Sequence, residues 1–327
     1  MKKFILFTLT GFLLLLLILI SYIQLASNPT FDAPYPNIEA VSDPDVIERG
    51  KYLVYGPAHC ATCHVPVDRI ADVERGEIVP MIGGWKEDIP PVKMRAPNIT
   101  PDPETGIGNL TDAEIARALR YGVGHDGRYL LPVMPFHDMS DEDLTAIISY
   151  LRAQEPIRHE PEPLRYTFLG KALLAFGILK PVPPEEVNPP QTVEKAATPE
   201  YGRYLSTAIA NCQGCHTKLD PMTAQYVDTA YSGGFLFEPG ELTQGFAFMS
   251  PNITPDPETG IMYGWTEEQF IARFKGGRVF EGSPMPWGPF SRMDSTDLAA
   301  IYQYLQTIEP AHRDRGQIVF SPGEKLP

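Results

Sequence analysis

The chain has 327 residues, with 41 acidic and 27 basic side chains and a formal net charge of −14 at neutral pH. This acidity argues against nucleic-acid binding, which needs a basic face, while the length suffices for two domains of ordinary size. No glycine-rich phosphate-binding loop is placed between a predicted strand and a predicted helix, so a nucleotide-dependent activity is not indicated.

The amino terminus has the pattern of a membrane segment. Lys2 and Lys3 precede an uncharged stretch from Phe4 to about Leu25, and about 20 apolar residues suffice to span a bilayer. A cleaved signal peptide is the alternative, but its apolar region is shorter and its cleavage site carries small residues, which this stretch matches poorly. We expect residues 1–25 to anchor a single-pass protein, with the lysines cytoplasmic and all later residues outside. Residues 26–44 would form a tether.

All four cysteines lie in two short strings of the same form. Cys60-Ala61-Thr62-Cys63-His64 and Cys212-Gln213-Gly214-Cys215-His216 each place a histidine directly after two cysteines. This spacing attaches a c-type haem, because the thiols bond two vinyl groups of one porphyrin and the histidine binds its iron. Paired zinc motifs lie about 15 to 20 residues apart, and redox dithiols or structural disulfides need no such histidine. The sequence therefore predicts two covalent haems c, held by Cys60, Cys63 and His64 and by Cys212, Cys215 and His216.

The two motifs belong to an internal repeat. Gly50 and Gly202 lie at equal distances before them in similar strings, and a Gly-Gly pair follows each motif, at 83–84 and 233–234. The string Pro97 to Ile107 then recurs unaltered as Pro251 to Ile261. A duplicated unit is the simplest explanation. We expect residues 45–154 and 199–310 to form two small domains, here called the first and second copy.

Each copy carries two helix signatures after the shared string. Thr111 with Glu114, and Thr266 with Gln269, form capping boxes that predict helices of about ten residues. A last helix from about Asp141 is predicted by apolar residues on one face, and the second copy has the same pattern; these residues are Leu144, Ile147, Ile148 and Leu151, then Leu298, Ile301, Tyr302 and Leu305. Strand-like alternation is almost absent. The predicted fold class is all-α, with haem as the largest part of each core.

The loop between those two helices offers a second axial ligand for each iron. It contains Met134 in the first copy and Met285 in the second, each followed by proline and at nearly equal distances after the attachment histidines. Prolines restrict the unfolded loop, so holding a weak thioether ligand costs less. Met139 and Met293 are rivals, although each directly precedes the last helix, where an apolar residue often packs on the helix start. We predict Met134 and Met285 as ligands; otherwise they are gap-filling core residues.

Five further histidines are predicted to be surface residues without a ligand role. They are His59, His125, His137, His159 and His312. His137 lies three positions after Met134 and could in principle replace it at the iron.

Residues 155–198 are rich in proline and predict a connector that braces two domains. Within it, the stretch from Leu164 to Lys180 is apolar enough for a short helix but too short and too polar to span a membrane comfortably. One interpretation packs this helix in the cleft between the two haem domains. The other is a contact with the membrane surface or a partner. Residues 311–327 are expected to form a tail.

From about Asp45 to Glu309 the chain resembles the cytochrome c subunits of bacterial membrane-bound alcohol, gluconate and sugar dehydrogenases, which look like tandem class I cytochrome c domains. The Pro-Asn-Ile-Thr-Pro-Asp strings and Met-Pro loops carry the resemblance beside the haem motifs. That family typically has three haem domains, whereas two motifs occur here. The resemblance implies that Asn98 and Asn252, with their threonine neighbours, lie near haem propionates; the alternative is that the proline-rich string is simply a tight turn covering the haem edge. It also implies two ligand sets: Cys60, Cys63, His64 and Met134 for one haem, and Cys212, Cys215, His216 and Met285 for the other.

The resulting hypothesis is a dihaem electron carrier of the bacterial cell envelope, not an enzyme in itself. It would pass electrons from a dehydrogenase subunit or quinol-linked donor to a terminal oxidase or another acceptor, with both haem domains on the periplasmic side of the cytoplasmic membrane. A two-haem peroxidase and a haem-based gas sensor are the alternatives. Both need an iron with an open or releasable position, whereas histidine and methionine together fill the two axial positions.

Overall fold

The computed structural model describes residues 1–220, 225–240 and 242–327. Helix α1 (Lys2–Ala26) matches the predicted membrane segment and is the one helix in these residues that is long and apolar enough to cross a membrane. Its side chains are exposed along nearly its whole length, and Ile23 is the buried exception. At 1.5 Å per residue it measures about 37 Å, more than the hydrocarbon core of a bilayer.

The two copies share a first helix, a two-stranded hairpin and two later helices in the same order. The first copy contains α2 (Pro44–Tyr55), α3 (Ile70–Glu74), β1 (Lys86–Ile89), β2 (Val92–Arg95), α4 (Asp112–Tyr121) and α5 (Asp141–Ala153). The connector adds β3 (Arg165–Tyr166) and α6 (Phe168–Ala175). The second copy contains α7 (Pro199–Tyr204), α8 (Cys212–Cys215), β4 (Leu236–Phe237), β5 (Ala247–Met249), α9 (Glu267–Lys275), α10 (Trp287–Ser291), α11 (Ser295–Thr307) and β6 (Val319–Phe320).

The predicted helix starts are confirmed. At α4, Glu114 N donates to Thr111 Oγ1 over 3.2 Å, while Thr111 N donates to Glu114 Oε2 over 2.7 Å. Thr266 and Gln269 form the same reciprocal cap at α9. In α5 all four predicted core residues are buried, and in α11 Leu298, Ile301 and Leu305 are buried while Tyr302 is partly exposed.

Two small antiparallel sheets correct the all-α prediction. Their strand orders are β1-β2-β3 and β4-β5-β6. Strands of two to four residues are too short to show alternation, so the sequence pattern could not reveal them. The third strand of each sheet comes from the segment after the last helix of its copy. Residues from the predicted connector and the predicted tail thus extend both copies.

The first and last helices of each copy cross at a glycine. A Cβ at Gly50 would lie 1.9 Å from the carbonyl oxygen of Ala146 in α5, and a Cβ at Gly202 would lie 1.9 Å from that of Ala300 in α11. No side chain fits there. The shared glycine before each haem motif therefore sets how closely the helix leading into the motif approaches the last helix.

A tyrosine from each copy binds the last helix of the other copy. Tyr52 in α2 donates over 2.6 Å to Asp297 in α11, and Tyr204 in α7 donates over 2.7 Å to Asp143 in α5. Each hydroxyl also accepts from the backbone N–H of the helix N-cap, which is Asp294 or Ser140. Both carboxylates are buried. These reciprocal contacts fix the two copies, and hence the two haem motifs, relative to each other.

A different basic side chain lies beside each of these two buried carboxylates. Arg49 Nε donates to Asp143 Oδ1 over 2.9 Å, whereas Lys195 Nζ lies 3.3 Å from Asp297 Oδ1. Burial raises the pKa of Asp297 above its ordinary value, and the Tyr52 hydrogen bond opposes that rise.

We expect Gly50→Ala and Gly202→Ala each to lower the free energy of unfolding by about 2 kcal/mol or more, because the added methyl group meets backbone that cannot move aside cheaply. Chemical denaturation of the detergent-solubilised chain measures this. Gly276→Ala is the matched control, since Gly276 is exposed with an ordinary φ of −69°, and it should be neutral or slightly stabilising. Equal effects at all three positions would contradict the close crossing.

We expect Tyr52→Phe to destabilise the fold by about 1 to 3 kcal/mol at neutral pH, because a buried carboxylate loses a donor. The loss should shrink as pH falls through the raised pKa of Asp297, since a protonated carboxyl depends less on that donor. Denaturation midpoints across the acid range test the sign, and Tyr204→Phe is the matched variant at the other contact. A loss for Tyr52→Phe that stays constant down to the onset of acid unfolding would contradict this assignment.

Candidate haem sites

Each attachment motif forms one tight turn. The first is a 3₁₀ turn at Cys60–Thr62, and the second is α8. His64 N donates to Cys60 O over 3.0 Å, and His216 N donates to Cys212 O over 2.9 Å. Both cysteines and the histidine of each motif therefore come from a single turn, as attachment to one porphyrin requires. The residue before each turn, His59 or Asn211, has a left-handed backbone with φ of 42° or 51°.

The surroundings of the cysteines disfavour the thiolate form. All four thiols are free, and burial raises the pKa of Cys60 and Cys63 to about 12 and that of Cys212 to about 11. Zinc binding and disulfide exchange both use thiolates. Among the described residues, no group of three or more His, Cys, Asp or Glu side chains is arranged to hold a metal ion.

The attachment histidines are oriented by a backbone carbonyl. His64 donates from Nδ1 to Pro97 O over 2.9 Å, and His216 donates from Nδ1 to Pro251 O over 3.0 Å. A carbonyl can only accept, so Nδ1 carries the proton and Nε2 keeps the lone pair that binds a metal. Burial lowers the pKa of both imidazoles, which favours the same neutral form. The residues present therefore fit two haem c groups.

The Gly-Gly pairs hold the backbone of these histidines. Gly83 N donates to His64 O over 2.8 Å, and Gly233 N donates to His216 O over 2.7 Å. Both glycines have positive φ, and a Cβ on either would lie within 2.5 Å of a backbone oxygen. The sequence revealed this repeated pair, but its contact with the histidine is visible only in the structure.

In each copy the asparagine of the repeated string forms a clamp, because its side chain ties the string to the segment after the last helix. Asn98 Oδ1 accepts from Thr100 N and Oγ1, and Asn98 Nδ2 donates to Ile157 O over 2.8 Å, with further acceptors within 3.2 Å. Asn252 makes the same bonds, with Ala311 O in place of Ile157 O. Both side chains are 1% exposed. These bonds use both amide hydrogens, and the position of the string near a haem propionate stays a prediction from the resemblance.

The two predicted methionine ligands differ in burial from their rivals. Met134 and Met285 are partly buried and pack against the hydrophobic core that extends through both copies, as do Cys60 and Cys212. Their rivals, Met139 and Met293, are fully buried at the starts of α5 and α11. This placement agrees with a packing role for the rivals. It leaves Met134 and Met285 as the candidate axial ligands.

A residue of the first copy holds the Met285 loop. Glu74 accepts a 2.8 Å hydrogen bond from Gly288 N and forms an ion pair with Arg278 over 2.9 Å. Arg278 in turn donates to Met285 O over 3.4 Å. Glu74 was not among the predicted functional residues, since no local sequence signal marks a contact across more than 200 positions.

Three of the five other histidines, His125, His159 and His312, are exposed as predicted. His59 and His137 are partly buried, contrary to the prediction. His137 donates from Nδ1 to Arg120 O over 2.6 Å, which would leave Nε2 available. It shares a cavity with Met134 and so stays the alternative ligand in the first copy.

The chain is similar to several cytochromes. No family model matches it. It is 28% identical to the fructose dehydrogenase cytochrome subunit of Gluconobacter japonicus, over 84% of this chain and 54% of that protein. It is 27% identical to the alcohol dehydrogenase (quinone) cytochrome c subunit of Gluconacetobacter polyoxogenes, over 86% and 60%. It is 26% identical to the dihaem cytochrome c-type protein of Cereibacter sphaeroides, over 65% and 71%.

These similarities confirm the predicted resemblance. Relatives at 25–28% identity over most of the chain are cytochrome c subunits of alcohol, fructose and gluconate dehydrogenases, together with a dihaem cytochrome c. The chain spans from about a fifth to three fifths of the length of the first curated relatives it matches.

Proposed function

We propose that the chain is a two-haem c-type cytochrome that transfers electrons and has no substrate chemistry of its own. The observation that carries this proposal is the repeated turn of Cys-x-x-Cys-His, whose histidine is fixed by a proline carbonyl at Nδ1. When bound, each haem supplies one-electron chemistry at its iron. The polypeptide provides the axial ligands, the buried surroundings and the fixed spacing of the two sites.

Cys60, Cys63, His64 and Met134 would hold the first haem, and Cys212, Cys215, His216 and Met285 the second. A methionine opposite histidine raises the reduction potential, and the packing of Met134 and Met285 against the core shields each site from water. With both axial positions filled, neither iron would offer a position to peroxide or to a gas. This argument favours a carrier over a two-haem peroxidase or a haem-based sensor.

The relatives suggest where the electrons come from. Several are named as cytochrome subunits of alcohol, fructose or gluconate dehydrogenases, so we propose a dehydrogenase subunit or quinol-linked donor and a terminal oxidase or other acceptor. The formal charge of −14 suits docking with a basic redox partner. Two tandem class I cytochrome c domains, residues 45–154 and 199–310, would follow the membrane helix and stand on the periplasmic side.

The wild-type chain should carry two covalent haems, measured by haem staining after denaturing electrophoresis and by pyridine haemochrome quantitation. Cys60→Ala/Cys63→Ala and Cys212→Ala/Cys215→Ala form a matched pair, and each variant should retain one haem because the other attachment turn is intact. One haem per wild-type chain, or haem that acidified organic solvent extracts from the protein, would contradict the proposal of two covalent haems.

Met134→Leu and Met285→Leu should each remove half of the near-infrared sulfur-to-iron charge-transfer absorption and lower one midpoint potential, leaving the other nearly unchanged. Leucine keeps the volume, so packing changes little. Met139→Leu and Met293→Leu are the matched controls and should leave both quantities as in the wild type. If a control variant shows the loss instead, the ligand assignment is wrong; in the first copy, His137→Gln tests the remaining alternative.

Helix α1 should hold the full-length chain in the cytoplasmic membrane. Membrane fractionation should release the chain with detergent and not with salt or alkaline carbonate, because some 20 apolar residues stay in the hydrocarbon. A freely soluble protein with a mature amino terminus near Asn28 would contradict the anchor and leave the electron-transfer proposal standing.

A further inference from the structure

Four large apolar side chains around α6 are exposed together. Phe168, Leu169, Phe176 and Ile178 have exposed fractions of 53, 39, 55 and 52%; we call this set the α6 face. Apolar side chains exposed in a group, unlike single ones, mark an interaction surface.

The α6 face is fixed rigidly to the first copy. Strand β3, directly before the helix, pairs with β2, and Thr167 caps the helix while donating to Pro90 O over 2.7 Å. A Cβ at Gly170 would lie 1.9 Å from Pro91 O, so α6 approaches the β1–β2 turn closely. Helix α6 therefore packs on the sheet of the first copy.

The helix α6 also contacts the end of α1. Tyr22 donates to Ala175 O over 3.1 Å, and its ring lies 5.6 Å from that of Phe176. Lys171 Nζ donates to Gln24 Oε1 over 3.3 Å. The α6 face is thus continuous with the carboxyl-terminal end of the predicted membrane helix.

Helix geometry sets the depth of these contacts. If the hydrocarbon core of about 30 Å begins at Phe4, about 20 residues cross it and the far boundary lies near Ile23. Tyr22 is then at the headgroup level, where tyrosine is enriched. Because Phe176 and Ala175 contact Tyr22, the α6 face lies at the same level.

The segment that contains the α6 face, residues 164–180, carries a net positive charge, whereas the whole chain is acidic. Residues 164–180 contain Arg165, Lys171 and Lys180 and no acidic residue, although the chain as a whole carries −14. Lys171 is partly exposed, and Lys180 and Arg165 are exposed. Basic side chains beside an apolar surface are typical of helices that lie in the interface of anionic bilayers.

We propose that the α6 face lies in the headgroup region of an anionic bilayer, as a second membrane contact beside α1. The proposal rests on the proposed anchoring by α1. Two contacts prevent the first copy from rotating about α1 and so hold it in one orientation. The chain directly after α6, residues 178–182, lines the cavity that also contains Met134, so this orientation places the predicted first haem site on the membrane side.

Collision measurements with a nitroxide label can test this in the full-length, haem-loaded chain. The chain is reconstituted in phosphatidylcholine vesicles containing phosphatidylglycerol, with Ile178→Cys or Leu169→Cys labelled. Power saturation by oxygen and by a water-soluble nickel chelate reports whether the label is in lipid or water. Val279→Cys is the matched control, since Val279 is an apolar side chain with 78% exposure in the second copy. The wild type treated with the same label controls for reaction at native cysteines.

Labels at 169 and 178 should collide with nickel at least threefold less than the label at 279 and more readily with oxygen. Replacing phosphatidylglycerol by phosphatidylcholine should weaken this shielding, and equal shielding in both vesicles would overturn the anionic preference.

The other outcomes separate the α6 contact from the anchor. If the wild type floats with vesicles after a carbonate wash but the α6 labels remain as accessible to nickel as the control, the α6 contact is overturned and the anchor stands. Shielding that arises only when a dehydrogenase subunit is added would assign the face to a protein instead. A wild-type chain that does not float overturns both.

Discussion

The hydrogen bond from the Nδ1 atom of each attachment histidine to a proline carbonyl is the contact on which both sites depend. It selects one tautomer and directs Nε2, the only remaining lone pair, towards a metal. The carbonyl belongs to Pro97 or Pro251, at the start of the repeated string. That string is held by Asn98 or Asn252, whose amide reaches a carbonyl in the segment after the last helix, Ile157 O or Ala311 O. The orientation of each imidazole is therefore set by residues some 90 positions further along the chain.

The contacts between the copies make the two sites one structure. Tyr52 and Tyr204 each stabilise a buried carboxylate and a helix N-cap in the opposite copy. Removing either hydroxyl would leave a buried acceptor short of a donor, which costs more than an average hydrogen bond contributes. Glu74 adds a one-sided contact, because it supports the loop of Met285 from the first copy. The geometry of the second candidate site therefore depends on the first copy.

The sequence predicted what is encoded locally. Capping boxes at Thr111 and Thr266, the apolar face of α5 and the length of α1 each depend on residues within a few turns, and all are present. The small sheets were missed because their strands are too short for periodicity. His59 and His137 were misjudged since their burial comes from tertiary packing. The position of Asn98 near a propionate was taken from resemblance, whereas the clamp that its side chain forms is visible only in the structure. The eight proposed haem-binding residues follow from motif and spacing, while their bracing contacts come from distant parts of the chain.

The connector has more functions than its proline content suggested. It supplies β3 to the sheet of the first copy, and its Ile157 carbonyl anchors the string that orients His64. Eleven residues after Ile157 it begins α6, which contacts α1 through Tyr22 and Lys171. The second copy has the corresponding β6 and the corresponding clamp at Ala311, but residues 321–327 form no helix. The duplicated units thus share the contacts that orient the attachment histidine, while α6, which contacts the end of α1, follows the first copy.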